Sequence, residues 1–294
     1  MTMLSPLRDH VGGLSGKVVL ITGAANGIGA ETARQLRALG ARVALVDRDE
    51  VSLDRLVSEL GGGAARFTAD VTHADSVDAA VSAAVTHFGG IDVVVANAGI
   101  SGPVATVSSI DPHAFEQVVE VNLVGVFRIV RATLPYVSER RGYVLLVASI
   151  MALVPGPTAA AYAATKAGVE AFGRALRVEL ADQDVRVGVA YFGLIDTGMV
   201  RNIVSTTGFG DALASLPGFL GKPAPVARAA SVMVSGIARR ANRVFAPGYV
   251  RILLDLRTPL ALTDRLLPRN RNINTIIRQA AMPATILENS ETPS

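Results

Sequence analysis

The stretch that most narrows what this chain can fold into is a short apolar run ending in a glycine cluster. Val18-Val19-Leu20-Ile21 is rich in β-branched residues and has no polar position, the pattern of a parallel strand buried on both faces. It runs into Thr22-Gly23-Ala24-Ala25-Asn26-Gly27-Ile28-Gly29, and a helical pattern through Leu36 and Leu39 continues until Gly40. In such a unit Gly23 permits the tight turn, Gly27 lets the backbone approach a pyrophosphate, and Gly29 lets helix pack on strand. With Asn26 and Ile28 they form an expected phosphate cradle, because the start of the helix offers unpaired N–H groups and partial positive charge. The spacing Gly-x-x-x-Gly-x-Gly differs from the commoner Gly-x-Gly-x-x-Gly. The strand before it and the helix after it are what give it meaning.

Six further apolar runs, near 42–46, 65–69, 91–96, 143–148, 185–191 and 243–246, alternate with helical stretches. That alternation predicts an α/β chain with a doubly wound, mostly parallel sheet of about seven strands and helices on both faces, a Rossmann fold. No linker, repeat or low-complexity stretch interrupts residues 14–250, and Gly61-Gly62-Gly63 reads as a turn before the third strand. The expected organisation is a flexible arm over 1–13, one domain over 14–250 with a substrate-covering segment at 196–222, and a basic amphipathic extension over 251–294. A hydrophobic content of 50% is ample for one such core.

The second strand, Arg42 to Val46, ends at Asp47. An acid at this tip, about 20 residues past the glycines, is placed to accept hydrogen bonds from adenosine ribose hydroxyls. It would repel a 2′-phosphate, so Asp47 favours NAD over NADP. Arg48 beside it could pair with that phosphate or stack on adenine, and its bland reading is a solvated loop charge.

The third signal is chemical. Tyr162 and Lys166 stand four residues apart, thirteen residues after Ser149 at the end of an apolar run. Positions four apart share a helix face. A free tyrosine has a pKa of about 10, and a nearby cation favours the phenolate, toward the range where acid–base catalysis works. Ser149 supplies a hydroxyl that can hold a carbonyl oxygen. Lys17, Lys166 and Lys222 are the only lysines in an arginine-rich chain, so Lys166 is unlikely background.

Together these residues resemble the short-chain dehydrogenase/reductase family over roughly residues 14 to 250. Thr22 to Gly29 matches its Thr-Gly-x-x-x-Gly-x-Gly motif at every fixed position. The resemblance implies that Asp70-Val71 contacts adenine and that Asn97-Ala98-Gly99 steadies the central sheet near the cofactor. It implies a catalytic tetrad of Asn122, Ser149, Tyr162 and Lys166, with Asn122 holding a water that links Lys166 to solvent. Phe192-Gly193-Leu194-Ile195-Asp196-Thr197 resembles the Pro-Gly-x-Ile-x-Thr segment that holds the nicotinamide carboxamide, with Phe192 departing from proline. That departure is expected to reshape the substrate side. Gly193, Ile195 and Thr197 keep the pattern. The resemblance further implies a homotetramer or homodimer formed through the helices carrying Asn122 and Tyr162. It also implies that the segment after Thr197 and the C-terminal tail cover the substrate.

Other classes are disfavoured. The chain has no cysteine, and its four histidines have no ligand-like spacing, so no metal is expected. No uncharged run reaches the ~18 residues of a membrane span, and the N-terminus does not resemble a signal peptide. A cytoplasmic chain is expected. From Arg239 to Arg278 nine arginines interleave with leucines and isoleucines. Such a segment could touch an anionic membrane or pack on a neighbouring subunit, and the packing reading is preferred. Nucleic acid is not expected, since no aromatic residues interleave to stack on bases.

The substrate side looks apolar. Met151, Leu153 and Val154 follow Ser149, and Met199 and Phe209 lie in the covering segment, with Phe192 at its base. No arginine or lysine lies between Ser149 and Tyr162, and Arg201 is the one nearby cation. The expected activity is hydride transfer between NAD and a small apolar secondary alcohol or ketone, steroid-, terpenoid- or acyl-like. Two alternatives are a non-catalytic NAD-binding sensor or scaffold and a peripheral membrane protein acting through its basic tail.

Overall fold

The computed structural model describes residues 12–154, 156–206, 218, 221–262 and 271–281. Seven strands form one sheet: β1 (Val18–Thr22), β2 (Arg42–Asp47), β3 (Ala64–Thr68), β4 (Val93–Ala96), β5 (Tyr143–Ser149), β6 (Arg186–Phe192) and β7 (Arg243–Ala246). Their order is β3-β2-β1-β4-β5-β6-β7, and every neighbouring pair is parallel. The Rossmann-type sheet expected from the apolar runs is therefore present. Strand limits move by no more than two residues, most at β4, which starts at Val93. Asp92 just before it accepts from Lys17 Nζ and from the Val18 N–H, each at 2.9 Å, and so ties the entry of β4 to that of β1.

The helices in chain order are α1 (Gly27–Ala38), α2 (Glu50–Leu60), α3 (Ala74–Phe88), α4 (Pro112–Val119), α5 (Gly125–Glu139), α6 (Ala160–Glu179), α7 (Gly198–Thr206), α8 (Val226–Ala238), α9 (Tyr249–Asp255), α10 (Arg257–Ala261) and α11 (Arg271–Ala280). One π turn, Glu120–Val124, joins α4 to α5. Side chains alternate across each strand, and the core divides accordingly. Val18 and Leu20 of β1 face Phe88 of α3, Ile129 of α5 and Val169 of α6. Val19 and Ile21 face Leu36 of α1, Leu53 of α2 and Met233 of α8. Strands with both faces buried must read as unbroken apolar runs, which is why the sequence displays them so plainly.

From β1 the chain steps outward to β2 and β3, then returns to the other side of β1 with β4. At this reversal the loops after β1 and β4 diverge and leave a crevice at the carboxyl ends of the strands. Two glycines make the turn there possible. Gly23 has φ +64°, and a Cβ on it would lie 2.8 Å from Ala98 Cα. A Cβ on Gly29 would lie 2.2 Å from the Gly23 carbonyl oxygen, so α1 could not approach the turn.

The expected boundary after residue 250 falls inside α9, whose Val250 and Leu254 belong to the core. Four of the nine arginines bind partners in this chain. Arg240 donates to the Gly142 and Asp184 carbonyls, Arg243 and Arg251 pair with Asp255, and Arg257 pairs with Glu170. Arg265 and Arg269 lie outside the described residues. No described helix is long and apolar enough to cross a membrane. Leu254→Ala is expected to lower unfolding free energy by about 2–5 kcal/mol in urea melts. Exposed Ile252→Ala should stay within about 0.5 kcal/mol. Equal small effects would mean that α9 is not part of the core.

Candidate active site

The crevice is held open by a staple between β1 and β4. Thr22 Oγ1 accepts the N–H groups of Asn97 (3.0 Å) and Ala98 (3.1 Å). Asn97 Nδ2 returns to the carbonyls of Thr22 (3.0 Å) and Gly23 (3.1 Å). Asn26 precedes α1 at the N-cap position and makes no side-chain capping bond, so the helix start is left for another acceptor. At the tip of β2, Asp47 accepts from Ala25 N–H at 3.0 Å and from Asp49 N–H at 3.1 Å. Its carboxylate is thus oriented by the turn it faces.

Two cavities meet at this point. The larger, about 310 Å³, is lined by Gly23, Asn26, Gly27, Ile28, Asp47, Asn97, Gly99, Ser149, Tyr162 and Lys166, and by Phe192, Gly193, Ile195, Thr197 and Met199. The smaller, about 130 Å³, is lined by Arg48, Asp70, Val71 and Ala98, sharing Gly23, Asp47 and Gly99 with the first. Asp70 is held by the Thr72 N–H (2.9 Å) and hydroxyl (2.7 Å). Burial pushes its carboxyl up, but those bonds and the charges of His73 and Arg48 leave it below the usual value. Arg48 itself is exposed. Residues from Gly23 to Met199 therefore line one continuous crevice.

At the inner end, β5 delivers Ser149, and α6 delivers Tyr162 and Lys166. Ser149 Oγ accepts the Met151 N–H at 3.2 Å and donates to the Phe192 carbonyl at 3.3 Å, so two strands fix it. Lys166 is 4% exposed and donates to the Val147 carbonyl at 2.9 Å. Its Nζ sits over the Tyr162 ring, 5.5 Å from the centroid. Burial lowers the Lys166 pKa to about 8. Burial also pushes the Tyr162 phenol up, with the Ser149 hydroxyl pulling the other way. The expected acidification of the phenol by Lys166 is therefore corrected for the chain as it stands: desolvation prevails, and the ammonium lies over the ring.

Asn122 is fully buried in the π turn. Its Oδ1 accepts the Ile100 N–H and its Nδ2 donates to the Ile100 carbonyl, both at 2.8 Å, with a longer contact to Thr165 Oγ1 at 3.4 Å. The side chain thus fixes the loop after β4 and reaches the helix that carries Tyr162 and Lys166.

The substrate side differs in part from expectation. Phe192 belongs to the core on the α1 and α8 face of β6, and the 5% of it that is exposed lies in the lining of the larger cavity. Met151 packs over Gly156 and Leu153 against the α5 and α6 core, and neither is among the residues that line the two described cavities. Met199 does. Phe209 lies outside the described residues. Arg201 turns away to Asp196, with which it pairs at 2.8 Å. The residues that sequence reading missed act through the backbone: the Val147 carbonyl under Lys166 and both main-chain groups of Ile100. A main-chain partner leaves no side-chain signal. Thr22 did stand inside the glycine motif, and Thr165 directly before Lys166, so their hydroxyls had a visible place in the sequence.

A family model described as short chain dehydrogenase matches residues 17–208. L-fucose dehydrogenase of Mus musculus is 34% identical over 227 residues, 75% of this chain and 83% of that protein. 3beta-hydroxysteroid dehydrogenase 1 of Eggerthella lenta is 35% identical over 238 residues, 76% and 88% respectively. The crystal structure of 3-ketoacyl-(acyl-carrier-protein) reductase from Brucella melitensis complexed with NADH superposes with a TM-score of 0.72 at 31% identity. It covers 79% of this chain and 97% of that one.

The buried lysine carries a pH signature. Between about 8 and its ordinary 10.5, Lys166 has lost its proton in the folded chain and kept it in the unfolded one. The unfolded state then binds more protons, so stability rises with pH across this window. Relative to Lys166→Met, the wild type should therefore gain stability from below pH 8 to above it, by on the order of 3 kcal/mol at most. Paired urea melts read the difference. A gap that does not change with pH would mean the ammonium is solvated.

Proposed function

The chain belongs to the short chain dehydrogenase family, an oxidoreductase family, and from that premise we propose that it exchanges a hydride between NAD and an apolar secondary alcohol or its ketone. The observation that carries this reading is the convergence of Ser149, Tyr162 and Lys166 on the crevice that the glycine turn and Asp47 also line.

The crevice fits a dinucleotide. Gly23 and Gly29 leave no room for a Cβ, Asn26 leaves the start of α1 without a side-chain cap, and a fixed carboxylate stands at the tip of β2. The start of α1 would hold the pyrophosphate, and Asp47 the adenosine ribose. Asp70 and Val71 would flank the adenine, and Gly193, Ile195 and Thr197 the carboxamide. The preference for NAD rests on Asp47, whose carboxylate would repel a 2′-phosphate. When bound, the nicotinamide supplies the hydride chemistry.

This chain's residues would handle the proton. The phenol of Tyr162, held up by burial, keeps its proton at neutral pH and so stands ready to donate to a ketone oxygen. Running the other way, it accepts the alcohol proton, aided by the Ser149 hydroxyl that favours the phenolate. Ser149 would turn its one O–H from the Phe192 carbonyl to the substrate oxygen where charge develops, from a position two strands make rigid. Lys166 has three donors, one of which serves Val147; the others would hold the nicotinamide ribose. The Asn122 side chain, committed to Ile100, sets the loop and the helix in register. In this reading the water that links Lys166 to solvent would meet main-chain atoms of the π turn.

The apolar preference is supported by Ala148, Met199 and Val200 in the crevice lining and by the outward pairing of Arg201. The named relatives act on a sugar and on a steroid, so the choice rests on these side chains. The test is turnover of NAD and of NADP with a panel of apolar secondary alcohols, hydroxysteroids included. Tyr162→Phe should lose about 10²–10⁴-fold in rate while still binding NADH. Asp47→Ala should raise the use of NADP relative to NAD. Binding of NAD without turnover of any panel member, by a wild type indistinguishable from Tyr162→Phe, would favour a sensor instead.

A further inference from the structure

The turn that leaves β6 supplies Phe192, Gly193, Ile195 and Thr197 to the lining of the larger cavity. Phenylalanine at 192 has no ring closed on its own backbone, so the turn is not stiffened from within. Its shape is set from outside, on two sides. On one, the Ala224 N–H donates to the Leu194 carbonyl and the Asp196 N–H donates to the Ala224 carbonyl, both at 2.9 Å. On the other, the Gly193 N–H donates at 2.8 Å to the carbonyl of Ala246, the last residue of β7.

The second side is crowded. A Cβ on Gly193 would lie 2.9 Å from the Tyr249 phenol oxygen, 3.2 Å from Pro247 Cδ and 3.3 Å from Val250 Cγ2. The Gly193 backbone lies outside the left-handed region, so clearance and not a backbone angle calls for glycine here. Of the three neighbours, the phenol oxygen stands nearest. Tyr249 opens α9, its ring packs against the core, and Val250 beside it is fully buried. The phenol is therefore firmly seated. The bond to Ala246 draws the turn toward β7, and the phenol oxygen stops it, in an interior packed too densely to give way. A tether and a stop opposed in this way fix a distance.

We propose that Tyr249 is a positioning residue for hydride transfer: its phenol oxygen sets how far Gly193, and with it Ile195 and Thr197, stands into the crevice at the nicotinamide end. The proposal rests on the dehydrogenase reading for what that end holds. Tyr249 is not among the residues that line the two described cavities, and so it acts through Gly193. The ADP-ribose half of the dinucleotide would rest instead on Asp47 and the start of α1, on the other half of the sheet. A disturbance at Tyr249 is therefore felt by the nicotinamide and not by the ADP-ribose.

The test compares, by calorimetric titration of the full chain, binding of NADH with binding of ADP-ribose, which lacks the nicotinamide. Tyr249→Phe removes only the phenol oxygen. It should raise the Kd for NADH about 3–10-fold, the worth of one positioned hydrogen bond, and leave that for ADP-ribose unchanged. Gly193→Ala should do the same by pushing the turn off the phenol. With both changes in one chain, the added methyl takes the space the oxygen left, and NADH should bind more tightly than in either single variant. Equal weakening of both ligands by Tyr249→Phe would mark a general support of the fold, and no weakening of either would mean that the turn holds without the phenol. A double variant no tighter than the singles would mean that the oxygen and Gly193 are not opposed. Each of these results overturns the proposal, and Tyr249→Phe alone decides it if Gly193→Ala does not fold. A wild type that fails to bind NADH would instead overturn the dehydrogenase reading. Amide exchange without ligand would then decide the stop, kept by faster exchange at Gly193 and Asp196 in Tyr249→Phe and lost if exchange is unchanged.

Discussion

The whole crevice depends on the staple between the ends of β1 and β4. At a topological switch point two neighbouring strands send their loops in opposite directions, and nothing in the sheet ladder continues past them. Thr22 and Asn97 supply the missing bonds, with four hydrogen bonds of 3.0–3.1 Å between side chain and backbone. Those bonds draw Ala98 so close to Gly23 that no Cβ could stand between them. The glycine turn, the uncapped start of α1 and the carboxylate of Asp47, which accepts from Ala25 in the same turn, follow from that approach.

Desolvation organises the inner end of the site. Lys166 is buried with a carbonyl rather than a carboxylate for company, and its pKa falls to about 8. Burial drives Tyr162 the other way, toward its neutral form. Both groups are thus drawn toward the uncharged state. A polar pair poised in this way responds to what enters the crevice.

Much of this was legible in the sequence, for a reason particular to this architecture. A parallel strand covered on both faces must be apolar at every position, and Val18 to Ile21 or Tyr143 to Ala148 admit no other reading. The glycine turn and the Tyr162–Lys166 spacing were legible because backbone clearance and helix geometry act over a few residues. The pocket was less so. Met151, Leu153 and Phe192 looked alike as apolar neighbours of the site, yet Phe192 lines the larger cavity with Met199, while Met151 packs over Gly156 and Leu153 against the core. The arginine run read as a possible surface charge. Three of its members are held within the chain instead, Arg243 and Arg251 by Asp255 and Arg257 by Glu170, eighty-seven residues away.

The sequence by itself determined the fold class, the place of the glycine turn and the identity of the polar residues at the crevice, because each rests on short-range geometry. Only the tertiary structure decided which apolar side chains face the crevice and which way the Tyr162 and Lys166 equilibria lean. Those outcomes depend on burial and on main-chain partners such as Val147 and Ile100. A carbonyl has no letter in the sequence, and the depth at which a charge is buried exists only once the chain has closed around it.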